Sequence, residues 1–229
     1  MVSIIIPLYN HADKLDGCLA SIANQTSQNF EITVVNDGST DNYEPIIKKF
    51  KERFGYKFIF LSQENKGAPA ARNLGARNAR GEFLLFCDAD VIMKPEALEM
   101  MLKTLQDNPG ASYAYSSFLW GHKLFRLWPW SAERLKLMPY IMTTSLIRRE
   151  HFPGFDEKLK RLQDWDLWLT MLEKGYTGVW IDQVLFKVRT GGVYSSWLPS
   201  FAYKLLPFLP AVRKYKRAEK IIKEKHHLQ

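Results

Sequence analysis

Two stretches decide the fold of this chain: FEITVVNDGSTD at residues 30–41 and EFLLFCDAD at residues 82–90. Each is a run of apolar, strand-forming residues that ends in carboxylates, at Asp37 in the first and at Asp88 and Asp90 in the second. In open α/β sheets, ligands bind at the carboxyl ends of the strands. Two Asp separated by one residue can hold a hard divalent cation that is shared with substrate phosphates. The two stretches therefore predict a site for a sugar nucleotide, held through its base and its diphosphate.

Apolar runs alternate with helical patterns around these stretches, from residue 2 to about residue 118. This alternation is typical of a mostly parallel sheet covered by helices. We predict strands over 2–7, 30–36, 57–62, 82–87 and 112–118 and helices over 12–25, 42–54, 69–79 and 95–107. A strand over 141–147, a helix over 163–174 and two short strands over 177–182 and 185–189 complete the predicted core. The expected fold class is α/β, a Rossmann-like mixed sheet flanked by helices.

An aromatic and basic stretch, FLWGHKLFRLWPW at residues 118–130, interrupts the alternation. It would either cover the core as an irregular segment or form one wall of a binding cleft, because loops of this length are often functional. The length of 229 residues allows one sizeable α/β domain and is too short for two ordinary domains with separate cores. We therefore expect a single domain with appendages.

Composition and cysteine usage favour a cytoplasmic globular protein. Hydrophobic residues make up 46% of the chain and charged residues 24%, which excludes a disordered chain. Cys18 and Cys87 have no partners at metal-ligand spacing, so we expect buried free thiols in a reducing compartment. We see neither a signal sequence nor an apolar run of about 20 residues, so no membrane-spanning helix is expected.

The net charge of +8 is concentrated in the C-terminal segment, where residues 200–229 contain eight Lys or Arg against two Glu. The remainder is close to neutral, which argues against nucleic acid as a partner. Apolar residues recur at helical spacing in this segment, beside many cations. Residues 197–229 would therefore form an interfacial anchor on an anionic membrane surface. The alternative is a helix that docks on its own domain or on a second subunit, as in a homodimer.

The acidic residues each have a structural reading beside the functional one. Asp37 would either form a turn or accept the N3–H of a pyrimidine base, and Asp41 would cap the following helix. Asp88 and Asp90 repel each other unless a cation or water compensates, although a turn could also use them. Asp164, at the start of a predicted helix, is most simply a cap or a partner of the helix dipole.

Between these acids lies NKGAPAARNLG at residues 65–75, a turn that leads into a helix. Free N–H groups and the positive end of the dipole favour an anion at such a helix start. Arg72 would sit on the first turn and reach a diphosphate with its guanidinium, unless it is a solvated helix charge.

In chain order, five blocks together resemble the family-2 glycosyltransferases: VSIIIPLYN at 2–10, NDGSTD at 36–41, NKGAPAARNLG at 65–75, DAD at 88–90 and QDWDLW at 163–168. The likeness covers roughly residues 1–190. It implies an inverting, metal-dependent transferase of the GT-A fold that uses a nucleotide-diphospho-sugar. It also implies a transferase domain over 1–192, with a donor-binding half over 1–118 and an acceptor-binding half over 119–192, followed by a basic amphipathic tail over 193–229.

The resemblance assigns roles to individual residues. Tyr9 and Asp37 would contact the nucleobase, Arg72 the diphosphate, and Asp164 would be the general base. Asp88 would contact the ribose or the metal, and Asp90 would be the more direct ligand of Mg²⁺ or Mn²⁺. The full substrate-binding set that it implies is Pro7, Tyr9, Asn10, Asp37, Gly67, Arg72, Asp88, Ala89, Gln163 and Trp165.

This chain departs mildly from the family pattern, since Asn36 and Gln163 stand where family members often have acids. It lacks the Gln-x-x-Arg-Trp block and the spanning helices of processive relatives, which favours the addition of a single sugar, with a glycan or a lipid-linked molecule as acceptor. A nucleotidyltransferase or a dinucleotide-binding dehydrogenase would show a Gly-rich turn after the first strand, and residues 7–11 contain no Gly. A noncatalytic carbohydrate-binding relative is the remaining alternative, and the intact Asp90 and Asp164 argue against it.

Overall fold

The computed structural model describes residues 1–190 and 209–228. Its strands are β1 Val2–Leu8, β2 Phe30–Asp37, β3 Phe58–Gln63, β4 Phe83–Phe86, β5 Val91–Met93, β6 Tyr113–Trp120, β7 Lys123–Phe125, β8 Leu146–Arg148 and β9 Gly178–Val188. Its helices are α1 Ala12–Ala23, α2 Glu44–Phe54, α3 Ala68–Arg77, α4 Ala97–Asp107, α5 Ala132–Leu137, α6 Gln163–Glu173 and α7 Pro210–Lys225. Short 3₁₀ turns occur at Gly55–Lys57 and Arg149–His151.

All the described strands belong to one sheet in the order β3-β2-β1-β4-β8-β6-β9-β5, with β7 paired to β6. Strands β3, β2, β1 and β4 are parallel, and β8 runs antiparallel to both β4 and β6. β2 is buried along its whole length and β1 along nearly all of it, as expected for parallel strands with helices on both faces. The prediction of an α/β fold with a mostly parallel mixed sheet is confirmed.

The second half of the fold differs in detail from the sequence prediction. The strand expected over 141–147 is only β8, and the two strands expected over 177–182 and 185–189 are one continuous strand, β9. The register between β6 and β9 shifts between Ser116, which pairs with Ile181, and Ser117, which pairs with Val184. The extra residues of β9 form a bulge there, and the two strands stay paired on both sides of it. Strands β5 and β7 and helix α5 were not predicted, because elements of three to six residues are too short to show a period.

The aromatic stretch over 118–130 covers the core, which was one of the two alternatives, with strand structure in β6 and β7 and irregular backbone over 126–130. Phe118 stacks between Phe125 of β7 and Phe186 of β9, with centroid distances of 5.0 and 5.4 Å. The Trp130 indole donates a hydrogen bond to the Tyr113 hydroxyl at 2.8 Å. Trp128 nevertheless leaves 42% of its surface exposed, so one aromatic ring of this stretch remains open to solvent.

The described part of the basic tail docks on its own domain. Helix α7 buries Ile222 completely in the main apolar core, and His226, directly after the helix, is 7% exposed. Docking on the same domain was one of the alternatives that the sequence left open. The preceding part of the predicted anchor, residues 197–208, lies outside the described residues. Among residues 1–190 and 209–228, no helix is long and apolar enough to cross a membrane.

A substitution at Gly81 tests how closely the backbone packs at the amino ends of the strands. A Cβ built on Gly81 would lie 2.7 Å from the Ser3 nitrogen and 2.8 Å from the Met1 carbonyl oxygen, both backbone atoms. We expect Gly81→Ala to lower the free energy of unfolding by about 2 kcal/mol, because the backbone must shift to admit the methyl group. Urea unfolding followed by circular dichroism measures this. Gly110→Ala is the matched control, since its Cβ would meet nothing within 4 Å, and equal stability of the two variants would contradict the packing described.

Candidate active site

Asp37, the last residue of β2, holds the turn that precedes α3. Its Oδ1 accepts hydrogen bonds from the Gln63 side chain at 2.7 Å and from the Lys66 amide at 2.8 Å, and its Oδ2 accepts from the Gly67 amide at 2.8 Å. Gly67 has a φ of +91°, a conformation that side chains disfavour. Asp37 is 2% exposed, so its first role is to shape the rim, and a nucleobase would use its remaining lone pairs.

The loop after β1 is tied to the loop after β2. The Asn10 side chain accepts from the Thr40 amide at 2.8 Å, and the Asn10 amide donates to the Ser39 hydroxyl at 3.2 Å. Asp41 corrects a sequence prediction, because its carboxylate accepts from the Ala12 amide at 2.7 Å and so caps α1 rather than the following helix. These bonds bring Pro7, Tyr9 and Asn10 to the rim beside the 36–41 loop, with Tyr9 39% exposed.

Arg72 joins the two halves of the domain. Its guanidinium donates through Nη2 to Asp88 Oδ1 at 2.6 Å and through Nη1 to Gln163 Oε1 at 3.0 Å. Phe155 lies under the guanidinium at 5.4 Å, and Arg72 is only 6% exposed. Because α3 begins at Ala68, Arg72 is on the second turn rather than the first as expected. It is not a solvated helix charge.

Asp88 and Asp90 form the acidic pair at the end of β4, on either side of the buried Ala89. Burial raises the pKa of Asp90 to about 6, and the charge of Asp88 adds to the shift, while Lys14 and Arg72 oppose it. A carboxylate with a raised pKa lacks full compensation for its charge. This pair therefore offers an anionic position that suits a cation.

Two carboxylates suit Mg²⁺ or Mn²⁺, which prefer oxygen ligands and are commonly bound through one or two carboxylates plus substrate phosphates. In the described part of the chain, no group of three or more His, Cys, Asp and Glu side chains could hold a metal alone. The residues present thus fit a cation that would take its other ligands from water and from a bound diphosphate.

The first turn of α6 carries Gln163, which contacts Arg72, and Asp164, the next residue. Gln163 accepts from Arg72 and donates to the Leu159 carbonyl at 3.1 Å, which explains how an amide serves where an acid was expected. Burial raises the pKa of Asp164, while the charge of Arg72 opposes the shift and that of Asp88 adds to it. Asp164 is linked to Arg72 and Asp88 through the side chain of its neighbour Gln163, which accepts from the guanidinium that also bonds Asp88.

Trp165 departs from its predicted role as a substrate contact. Its side chain is completely buried, and its indole donates to the Leu135 carbonyl at 2.6 Å, so it anchors α6 to α5. Trp168, expected in the core, lies there, with its indole bonded to the Ile141 carbonyl at 2.9 Å.

Sequence reasoning missed two basic residues near the acidic pair. Lys14 is 3% exposed, and no acceptor among the described residues reaches its Nζ. It lies one turn before Cys18, whose Sγ is 3.6 Å from the Asp88 carbonyl oxygen. The pKa of His11 is lowered by burial and by the charge of Lys14, against the opposing charges of nearby acids that include Asp88. A Lys on the apolar face of a helix is the sequence signal that could have identified this neighbourhood.

The model of the family described as "Glycosyl transferase family 2" matches residues 3–162. The chain belongs to glycosyl transferase family 2. An uncharacterized glycosyltransferase of Rickettsia typhi is 32% identical over 82% of this chain and 64% of its own length. Another from Haemophilus influenzae is 30% identical over 76% of this chain and 63% of its own length.

A glycosyltransferase of Rickettsia felis is 29% identical over 89% of this chain. The matched part is only 35% of the length of that relative. Among solved structures, Staphylococcus aureus TarS 1-349 in complex with UDP superposes with a TM-score of 0.72 at 20% identity, covering 83% of this chain and 60% of that one. A mannosyltransferase from Pyrobaculum calidifontis, in complex with GDP-Man and Mn²⁺, gives 0.63 at 18% identity, covering 86% and 58%. The fold of this family 2 member is therefore GT-A, as the sequence resemblance implied.

The raised pKa of Asp90 predicts how the free energy of unfolding depends on pH. Because the folded pKa of about 6 exceeds the ordinary value of 3.8, ionisation of Asp90 opposes folding. This opposing contribution grows as the pH rises from about 4 to 6 and is complete above 6. We expect Asp90→Asn to raise the free energy of unfolding by about 2 kcal/mol at pH 8 and by progressively less towards pH 4.

Urea unfolding at pH 4.5, 6 and 8 measures the gain for Asp90→Asn. Asp107→Asn on α4 is the control, because Asp107 is exposed and forms an i,i+4 pair with Lys103 on the same helix. A variant less stable than wild type at pH 8 would refute the electrostatic description of the acidic pair.

Proposed function

We propose that this family 2 glycosyl transferase is an inverting enzyme that moves one sugar from a nucleotide-diphospho-sugar to an acceptor hydroxyl. The observation that carries the proposal is the position of Arg72, which joins Asp88 at the end of β4 to Gln163 beside Asp164. In this proposal, groups suited to a diphosphate and a carboxylate suited to accept a proton would share one binding cleft. Residues 1–118 would bind the donor and residues 119–192 the acceptor.

Asp164 would accept the proton of the acceptor hydroxyl while that oxygen attacks the anomeric carbon. Burial of Asp164 supports this role, because a raised pKa makes a carboxylate a stronger base. The bond from the anomeric carbon to the diphosphate breaks on the opposite face, so a single displacement inverts the configuration. Arg72 would stabilise the charge that develops on the departing diphosphate, since its contacts to Asp88 and Gln163 use two of the five guanidinium N–H donors.

Asp90, and Asp88 with it, would hold Mg²⁺ or Mn²⁺, which supplies positive charge near the leaving group. Tyr9 and Asp37 would contact the base, Asp88 the ribose, and Pro7, Asn10, Gly67, Ala89 and Gln163 would complete the donor and acceptor contacts. A uridine nucleotide is the preferred donor in this proposal, supported by the likeness to TarS, whose structures include complexes with UDP and UDP-GlcNAc.

The acceptor in this proposal is a glycan or lipid-linked molecule at an anionic membrane surface in the cytoplasm, used for cell-surface polysaccharide or glycolipid synthesis. Support comes from the outer face of α7, which exposes Arg213, Lys214, Lys216, Arg217 and Lys220. Clustered cations of this kind bind anionic lipid at about 1 kcal/mol each. Self-association through the same segment is a competing use of this surface.

The catalytic assignment is tested by the release of free nucleoside diphosphate from a panel of sugar nucleotides with Mn²⁺. We expect Asp90→Ala and Asp164→Asn each to lower the turnover of the preferred donor by at least about 100-fold, because each removes a charge used in the transition state. Asp107→Asn should retain full activity. Equal turnover of all four proteins would reject the assignment.

The membrane proposal is tested by co-sedimentation with phosphatidylserine vesicles. We expect the triple variant Lys214→Gln/Arg217→Gln/Lys220→Gln to bind on the order of 100-fold more weakly, because three cations are lost from one face. A control with three exposed lysines changed elsewhere, Lys48→Gln/Lys51→Gln/Lys103→Gln, keeps the same net charge and should bind like wild type. Equal binding of both triple variants would show that α7 is not the contact, and size-exclusion chromatography of the same proteins would detect self-association instead.

A further inference from the structure

His226 connects the end of the chain to α6 through two carboxylates. Its Nε2 lies 2.8 Å from Asp166 Oδ1 and its Nδ1 lies 2.7 Å from Glu173 Oε1, and the side chain is 2% exposed. Both ring nitrogens face acceptors, which only the imidazolium form satisfies with two N–H donors. His226 therefore acts as a buried cation between two acids of one helix.

Lys225 adds a second cation to the same carboxylate. Its Nζ lies 2.7 Å from Asp166 Oδ1 and 2.7 Å from Asp156 Oδ2. The Asp166 side chain is 4% exposed, so one buried carboxylate receives both Lys225 and His226. A buried charge is costly unless it is fully paired, and pairing of this kind fixes geometry more than it adds stability.

The two carboxylates that Lys225 joins flank the proposed base. Asp166 follows Asp164 by two residues in the first turn of α6, and Asp156 lies in the segment over 152–162 that leads into this helix. Leu162, the last residue of the segment, has a φ of +57°, which is strained for a residue with a Cβ. Such a conformation persists only where the surroundings hold it.

The same segment is held from the donor side by α3. The Asn73 side chain donates to the Phe155 carbonyl at 2.9 Å and accepts from the Phe155 amide at 2.8 Å, and Asn73 follows Arg72 directly. The segment over 152–162 is thus held at two neighbouring residues, Phe155 by Asn73 of the helix that carries Arg72 and Asp156 by Lys225 at the end of α7. Both attachments act on the entry to the turn that carries Gln163 and Asp164.

We propose that Lys225 and His226 are positioning residues that set the first turn of α6, and with it Asp164, for proton transfer from the acceptor. This inference rests on the proposed function for its catalytic part. It makes the last turn of α7 a component of the acceptor half, acting through Asp166 and Asp156 without touching the reacting atoms. A small displacement of a catalytic group lowers the rate steeply, which gives such residues their effect.

The contact also depends on pH. Asp166 and Glu173 of α6 face His226 directly, Lys225 adjoins it, Asp156 is reached through Lys225, and Lys136 of α5 lines the same cavity. Burial alone lowers the pKa of His226, but the hydrogen bonds and charges of Asp166 and Glu173 outweigh it and raise the pKa above 6.5. The stabilisation is fully present below pH 6.5 and is lost as the pH rises through the folded pKa.

The experiment compares wild type with Lys225→Met/His226→Gln in the full chain by hydrogen exchange and by kinetics. We expect peptides from residues 152–166 to exchange at least about tenfold faster in the variant, while peptides covering 30–41 and 82–90 are unchanged. The kcat for transfer should fall about tenfold to 100-fold, while UDP affinity stays within about twofold of wild type. Lys103→Met/His122→Gln is the matched control at exposed positions. The single variant Lys225→Arg, which keeps the positive charge, should retain most of the wild-type kcat.

Two further readouts keep the inference open to refutation. In wild type, amide hydrogen exchange over 152–166 should be faster at pH 9 than at pH 6 after correction for intrinsic exchange. The variant Lys225→Met/His226→Gln should show no such difference. Release of residues 209–228 with unchanged exchange over 152–166 and unchanged kcat would overturn the inference, as would equal losses of UDP affinity and kcat. If wild type neither binds UDP nor transfers sugar, the proposed function fails, and the exchange data still decide whether Lys225 and His226 order the segment.

Discussion

The site depends on one guanidinium. Arg72 reaches from α3 to Asp88 at the end of the parallel half of the sheet and to Gln163 at the start of α6, in the half where parallel and antiparallel pairings are mixed. These partners are 16 and 91 residues away in sequence. An arginine suits this position because its planar fork bonds two partners in fixed directions, which a lysine cannot reproduce. The rest of the crevice is arranged around this bridge.

The fold supports the bridge by using side chains of the signature blocks as structural ties. Asp37 holds the Lys66 and Gly67 amides at the entry to α3, and Asn10 and Asp41 join the first two loops. Asp90, by contrast, is partly buried next to the like charge of Asp88, and both effects raise its pKa. The hydrogen bonds of the loops thus stabilise the fold, whereas the acidic pair destabilises it. This distribution is common at functional sites.

The sequence was sufficient for the parallel half because each strand there is a long apolar run that ends in a polar signature. It predicted β1 to β4 and α1 to α4. The family resemblance assigned Asp88, Arg72 and Gln163 to one substrate-binding set, and the structure joins the three through hydrogen bonds of Arg72. The sequence prediction failed where elements are short, as for β5, β7 and α5, and where long-range partners decide a role. Asp41 caps a helix that precedes it by 29 residues, and Trp165 turns into the core because the Leu135 carbonyl accepts its indole N–H. The docking of α7 through His226 was equally hidden, since its carboxylate partners lie 53 and 60 residues away.

A crystal structure with UDP and Mn²⁺ tests the central claim most directly. The account predicts the diphosphate at the carboxyl ends of β1, β2 and β4, within hydrogen-bonding distance of the Arg72 guanidinium, and the cation on Asp90. It also predicts that the Arg72–Gln163 contact is kept, so that Asp164 faces the open side of the donor. A nucleotide bound elsewhere on the molecule, or a diphosphate turned away from Arg72 and Asp90, would contradict it.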